Sequence, residues 1–179
     1  MPPLAQLRPG YLVVRSADGT YVGGLMVTDD NGMPLDFRYT DPISPTRLQR
    51  ALYGGALDRY LRADVVAVAL FNAVQEKPTV VLVEDEGLLE DASFGCPVAM
   101  VTSSRLPPLG AAGTTRSDGS TMLVQADEAA GPLRVVLADE KTGTEISEGL
   151  VRLGGRIDPL EPAQRVHTAL DLIASGETV

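Results

Sequence analysis

An α+β fold is what the order of segments predicts, and three observations carry it. Residues 11 to 40 alternate short β-type runs with tight-turn signals, a capped helical run follows, and two apolar, largely β-branched runs lie beyond it. Tyr11–Arg15 reads as the first strand. Asp18-Gly19 offers the positive-φ residue of a tight hairpin, and Tyr21–Thr28 is the returning strand. Gly23-Gly24 inside it marks a bulge or a close backbone approach. Asp30-Asn31-Gly32 is a second turn. From Pro34 to Tyr39, apolar Leu35, Phe37 and Tyr39 alternate with polar Asp36, Arg38 and Thr40, the pattern of a half-buried strand.

Ser44-Pro45 resembles an N-cap followed by proline at the first helical position. The helix beyond carries Leu48, Leu52, Leu57, Tyr60 and Leu61, and Gly54-Gly55 permits a kink or close packing of another backbone. Asp64–Val74 continues or follows it, and Lys77-Pro78 ends it. Thr79–Val83 and Pro97–Thr102 read as strands covered on both faces, joined by a polar connection from Glu84 to Asp91. Residues 103–120, rich in Ser, Pro, Gly and Thr, read as a loop. Thr121–Gln125 and Leu133–Leu137 are strands, and Ile146–Leu153 is helix or strand. In Pro159–Ala174, Val166, Leu170 and Ile173 recur at helical spacing. The expected organisation is a sheet–helix–sheet core over 1–103, a loop or linker over 104–120, and strands with a terminal helix over 121–179 packed on the same domain.

Three antiparallel strands, a long helix, then buried strands is the order of the ribonuclease-H-like fold. A nuclease of that fold holds two metal ions between carboxylates, one of them in the middle of the first strand. Tyr11–Arg15 contains no acid; Asp18 lies in the turn beyond it, and Asp85 follows the strand at 79–83.

The totals exclude several classes. Hydrophobic residues at 44% and charged residues at 22% are globular values, so a wholly disordered chain is not expected. A net charge of −9 lacks the basic footprint of phosphate neutralisation and disfavours nucleic acid as a partner. The longest apolar run, near residues 65 to 71, is far short of the roughly 20 residues of a membrane span. The N-terminal MPPLAQLRPG lacks the charged-then-apolar pattern of a leader, and the single cysteine, Cys96, fits a cytoplasmic protein. Of 15 basic residues only Lys77 and Lys141 are lysine, which suggests a GC-rich bacterial genome.

Few residues point to chemistry. Asp29 and Asp30 beside Asn31-Gly32 read as a solvated bend, since Asp and Asn tolerate and cap such turns. The calcium-loop pattern is not met. Asp36 and Arg38 share a strand face and read as an ion pair. His167, the only histidine, falls beside Val166 and off the apolar stripe, so it reads as a surface residue. Cys96 reads as a small buried hydrophobe. No phosphate loop and no G-x-S-x-G elbow is present.

Gly23-Gly24-Leu25, Val27-Thr28, Gly32, Pro34-Leu35, Phe37, Tyr39-Thr40, Pro42, Gln49, Leu52-Tyr53-Gly54, Leu57 and Tyr60-Leu61 resemble the pattern of a family of bacterial proteins with no established activity. The tail from Asp158 to Pro162, with Arg165 and Ala169-Leu170, is similar too. The resemblance implies no catalytic residues.

The expected function is therefore a non-catalytic interaction module without cofactor or metal, binding another protein or a second copy of itself. Its contact surface is the helix bearing Arg47, Arg50, Arg59 and Arg62, with Tyr53 and Tyr60 as aromatic anchors, because Arg and Tyr dominate interface hot spots. The alternative is a metal-dependent hydrolase or nuclease using Asp18, Asp29, Asp30, Asp36 or Asp85.

Overall fold

The computed structural model describes residues 6–89 and 94–177, so the first five residues and the end of the expected Glu84–Asp91 connection lie outside the described residues. Among the described residues one mixed sheet holds β1 (Pro9–Ala17), β2 (Thr20–Thr28), β3 (Pro34–Tyr39), β4 (Val80–Val83), β5 (Val98–Ser103), β6 (Thr115–Asp118), β7 (Thr121–Val124) and β8 (Leu133–Leu137). Their spatial order is β3-β2-β1-β4-β5-β8-β7-β6. β4 runs parallel to β1 and to β5, and the other neighbours are antiparallel. The first five strands have the expected meander and the expected parallel crossover.

β8, β7 and β6 extend this same sheet outward from β5, so residues 121–179 share the sheet of the N-terminal part. β6 lies inside the stretch read as a loop. All four of its residues are exposed, and only its pairing with β7 defines it, so its sequence carries no apolar alternation to find.

The helical run after β3 is segmented. It comprises α1 (Arg47–Tyr53), a 3-10 turn (Gly54–Ala56), α2 (Leu57–Arg59), a π-helical stretch (Tyr60–Ala67) and α3 (Val68–Ala73). Its cap is Thr46, two residues beyond Ser44. The Thr46 side chain accepts from the Gln49 amide at 3.1 Å, and the Gln49 side chain accepts from the Thr46 amide at 2.9 Å. Gly54 adopts a φ of 51°, and neither Gly54 nor Gly55 has any neighbour where a Cβ would sit. The pair breaks the helix; it is not a packing site.

α4 (Gly143–Gly154) and α5 (Glu161–Ala174) cover the opposite face of the sheet. Strand alternation divides the core accordingly. Tyr11, Val13, Leu82 and Val101 pack with Leu150, Val166 and Leu170 on the α4/α5 side. Leu12, Leu25, Val81 and Val83 pack with Leu61, Val66 and Leu70 on the other. Each buried aliphatic side chain contributes about 1.5–3 kcal/mol of transfer free energy. Gly23 and Gly24 let both layers close on β2: a Cβ on Gly23 would collide with Val66, and one on Gly24 would come within 2.9 Å of Val166. No helix among the described residues is long and apolar enough to cross a membrane. The carboxyl ends of β1, β4 and β5 point the same way, where open sheets with parallel strands form their crevices.

Candidate active site

Among the described residues the acids of the opening hairpins do not converge on one centre. Asp18 sits in the β1–β2 turn at a φ of 52°. Asp29 Oδ1 accepts from the amides of Asn31 and Met33, both at 2.9 Å, and so folds its own bend. Asp30 is not solvated. It accepts from Arg152 of α4 at 2.6 Å and from Arg156 at 3.2 Å, and its side chain is 16% exposed. Asp36 accepts from the amide of Gln75 at 2.6 Å and lies 3.1 Å from Arg38. Asp85 bonds the Gly87 amide at 2.9 Å and stands 3.4 Å from Arg62.

The basic helical run is also engaged with its own protein. Arg62 donates to Asp58, to the Val14 carbonyl and to Ser16, and lies over the Tyr21 ring. Arg50 reaches the Gly19 carbonyl, and Tyr53 stacks on Tyr60 with ring centroids 4.3 Å apart. α1 itself, from Arg47 onward, buries no residue. Arg59 makes an interaction of its own. Arg50, Arg62, Tyr53 and Tyr60 thus contact other residues of the chain, while Arg47, Arg50, Tyr53 and Arg59 remain exposed. Cys96 is half-buried beside it, and burial pushes its thiol up to about 11, away from nucleophilic reactivity.

His167, read from the sequence as a surface residue, meets Glu84, which the sequence did not single out. Glu84 is the first residue past β4, and His167 lies in the middle of α5. His167 Nε2 is 2.7 Å from Glu84 Oε2. Parity explains the pairing. Glu84 follows Leu82 on the α5 side of the strand, whereas Asp85, one step on, turns to the helical run and Arg62. One turn along α5, Asp171 accepts from Arg15 of β1 at 2.8 Å.

Beside the pair opens a pocket of about 250 Å³ between β1, β4, β5 and the start of α5. Leu82, Val101 and Leu160 give it apolar walls; Glu84, Ser103 and Gln164 line it as well, and so does Tyr11. Its neighbour, a broader groove lined by Arg156 and Asp158, shares Ser103, Pro159 and Leu160 with it. Tyr11 is 1% exposed, and its hydroxyl has no hydrogen-bond partner.

The side chains present do not fit a pair of metal ions bridged by carboxylates. The middle of β1 offers Tyr11, Leu12 and Val13, all buried and none acidic. β5 ends in Thr102 and Ser103. Among the described residues no three His, Cys, Asp or Glu side chains lie close enough to hold an ion.

No protein-family model and no curated protein matches the chain. Solved structures do. Endonuclease V from Streptomyces avermitilis superposes with a TM-score of 0.67 at 14% identity, over 96% of this chain and 83% of that one. Endonuclease V from Bacillus subtilis gives 0.60 at 13%, over 96% and 83%. Endonuclease V from Ciona intestinalis, in complex with a 24mer DNA containing an inosine followed by a ribo-adenosine, gives 0.57 at 12%, over 96% and 89%. The fold is shared along nearly the whole chain. These likenesses overturn two expectations, that of a protein–protein interaction module without catalysis and that of a chain with no affinity for nucleic acid. The three solved proteins named are endonucleases, and the Ciona intestinalis one is seen on DNA.

Proposed function

We propose that the chain is a nuclease, hydrolysing a phosphodiester bond of nucleic acid at Glu84 and His167. The observation that carries this reading is their 2.7 Å contact beside an open pocket at the carboxyl end of a parallel strand, in a fold that solved endonucleases share. Glu84 accepts a hydrogen bond from Nε2–H and orients the ring, which leaves the Nδ1 lone pair to act as general base. A water oxygen forms the new bond to phosphorus and its proton passes to Nδ1. The bond from phosphorus to the leaving oxygen breaks, and that oxygen takes a proton from solvent. A net charge of −9 implies few phosphate contacts, so affinity should fall only shallowly with salt. A cytoplasmic setting goes with the reading, supported by the lone, unreactive Cys96.

The test is cleavage of end-labelled single- and double-stranded DNA and RNA, including inosine-containing DNA, with Mg²⁺ and separately with EDTA. The wild type should cut at least one substrate. His167→Ala should lower the rate by roughly 10²- to 10⁴-fold, the range of general-base catalysis, with the melting temperature nearly unchanged. A wild type that cuts none of them overturns the reading.

A further inference from the structure

The pocket beside Glu84 has a feature the general base does not use. The Tyr11 hydroxyl is shielded from solvent and has no partner. A buried donor left without an acceptor is destabilising unless something satisfies it. Burial pushes its phenol well above the usual tyrosine range, so it stays a neutral donor. It lies on β1, the strand whose middle would carry a carboxylate for a bridged metal pair, and it offers a proton to an oxygen instead of an oxygen to a cation.

The surroundings suit the same ligand. The first turn of α5 lies against the pocket; Asp158 takes the Leu160 and Glu161 amides and Pro162 has none, which leaves Ala163 as the first amide on the pocket wall. The Ser103 hydroxyl and the Gln164 amide stand on the rim. The nearby carboxylates are occupied: Glu84 by His167, Asp158 by the Leu160 amide at 3.0 Å, and Glu161 by Arg165 at 2.7 Å.

We infer that this pocket seats a phosphate group of the substrate directly, between the Tyr11 hydroxyl, the Ser103 hydroxyl and the first turn of α5, without a bridging metal ion. This deepens the nuclease reading and rests on it for the identity of the substrate.

Calorimetric titration in EDTA tests it, with inorganic phosphate, AMP and adenosine as probes. Phosphate and AMP should bind the wild type, and adenosine should not. Tyr11→Phe keeps the ring and removes the orphan donor, so its melting temperature should hold or rise while phosphate and AMP affinity fall about tenfold or more. Unchanged affinity in the variant overturns the inference. So does adenosine binding with the same sensitivity, binding that vanishes in EDTA, or no binding by the wild type. Lost cleavage with phosphate binding intact would sink only the nuclease reading; lost phosphate binding with cleavage intact would sink only this one.

Discussion

The bend between β2 and β3 and the end of β4 both carry carboxylates, and they put them to opposite uses. In the bend, Asp29 is spent on backbone amides and Asp30 on Arg152 and Arg156, and in β3 just beyond it Asp36 is spent on amides and Arg38. At the end of β4, Glu84 lines an open pocket and lies 2.7 Å from the His167 imidazole. The density of acids in a stretch of sequence therefore says little about chemistry. What decides is whether the partner is a fixed cation or amide, which freezes the carboxylate, or a group that can itself exchange a proton.

A crossed pair of substitutions tests this division most severely. Glu84→Gln should cut phosphodiester cleavage by roughly 10²-fold or more by unseating the base, with little loss of stability because both side chains are partly exposed. Asp30→Ala should do the reverse. It removes the acceptor of two half-buried guanidinium groups and should cost about 1–2 kcal/mol, or roughly 3–6 °C in melting temperature, while the cleavage rate holds. Kinetics and thermal melts on the same preparations check both. An Asp30→Ala protein that melts normally but fails to cut would place the bend in the site and erase the contrast.

The sequence made much of the fold legible, because turn chemistry and alternation are local. Asp18-Gly19 and Asn31-Gly32 set the meander, and the Leu35, Phe37 and Tyr39 alternation marked β3. The run over 79–83 marked β4, and the Val166 and Leu170 spacing marked α5. The site was hidden for three physical reasons. Glu84 and His167 are 83 residues apart, and Asp30 is 122 from Arg152, so no window contains either pair. His167 sits off the apolar stripe, which is where an exposed or a site-facing residue equally belongs. A one-residue step past β4 sends Asp85 to the wrong face and Glu84 to the right one. The signal that could have found the pair was the acid placed directly after four fully buried strand residues, at the carboxyl end of a parallel strand.

A smaller effect sharpens the picture of the bend as structural. Burial pushes the Asp36 carboxyl up, but the amides of Gln75 and Glu76 together with Arg38 outweigh it and hold the group below the usual carboxylate range. A carboxyl lowered by folding stabilises fully above its unfolded value and loses that contribution as pH falls through its folded one. Asp36→Asn should therefore cost about 1 kcal/mol near neutrality, and the gap from wild type should close below about pH 4. Denaturant melts at several pH values read this directly; a gap that stays constant with pH would mean that ionisation of Asp36 contributes nothing.

The smallest expected effect separates the two kinds of partner that Asp36 has. Arg38 is 41% exposed on its side chain, whereas Asp36 is 10% exposed. An ion pair open to water on one side contributes about 0–0.5 kcal/mol and is screened by salt, while amide donors fixed by the end of α3 keep their geometry at any ionic strength. Arg38→Ala should thus lower stability by no more than about 0.5 kcal/mol, and the loss should shrink further in 1 M salt. If Arg38→Ala instead matched Asp36→Asn, the cation and not the amides would be holding the carboxylate. The hairpin would then hold a charge that a change of partner could release, the property proposed for Glu84.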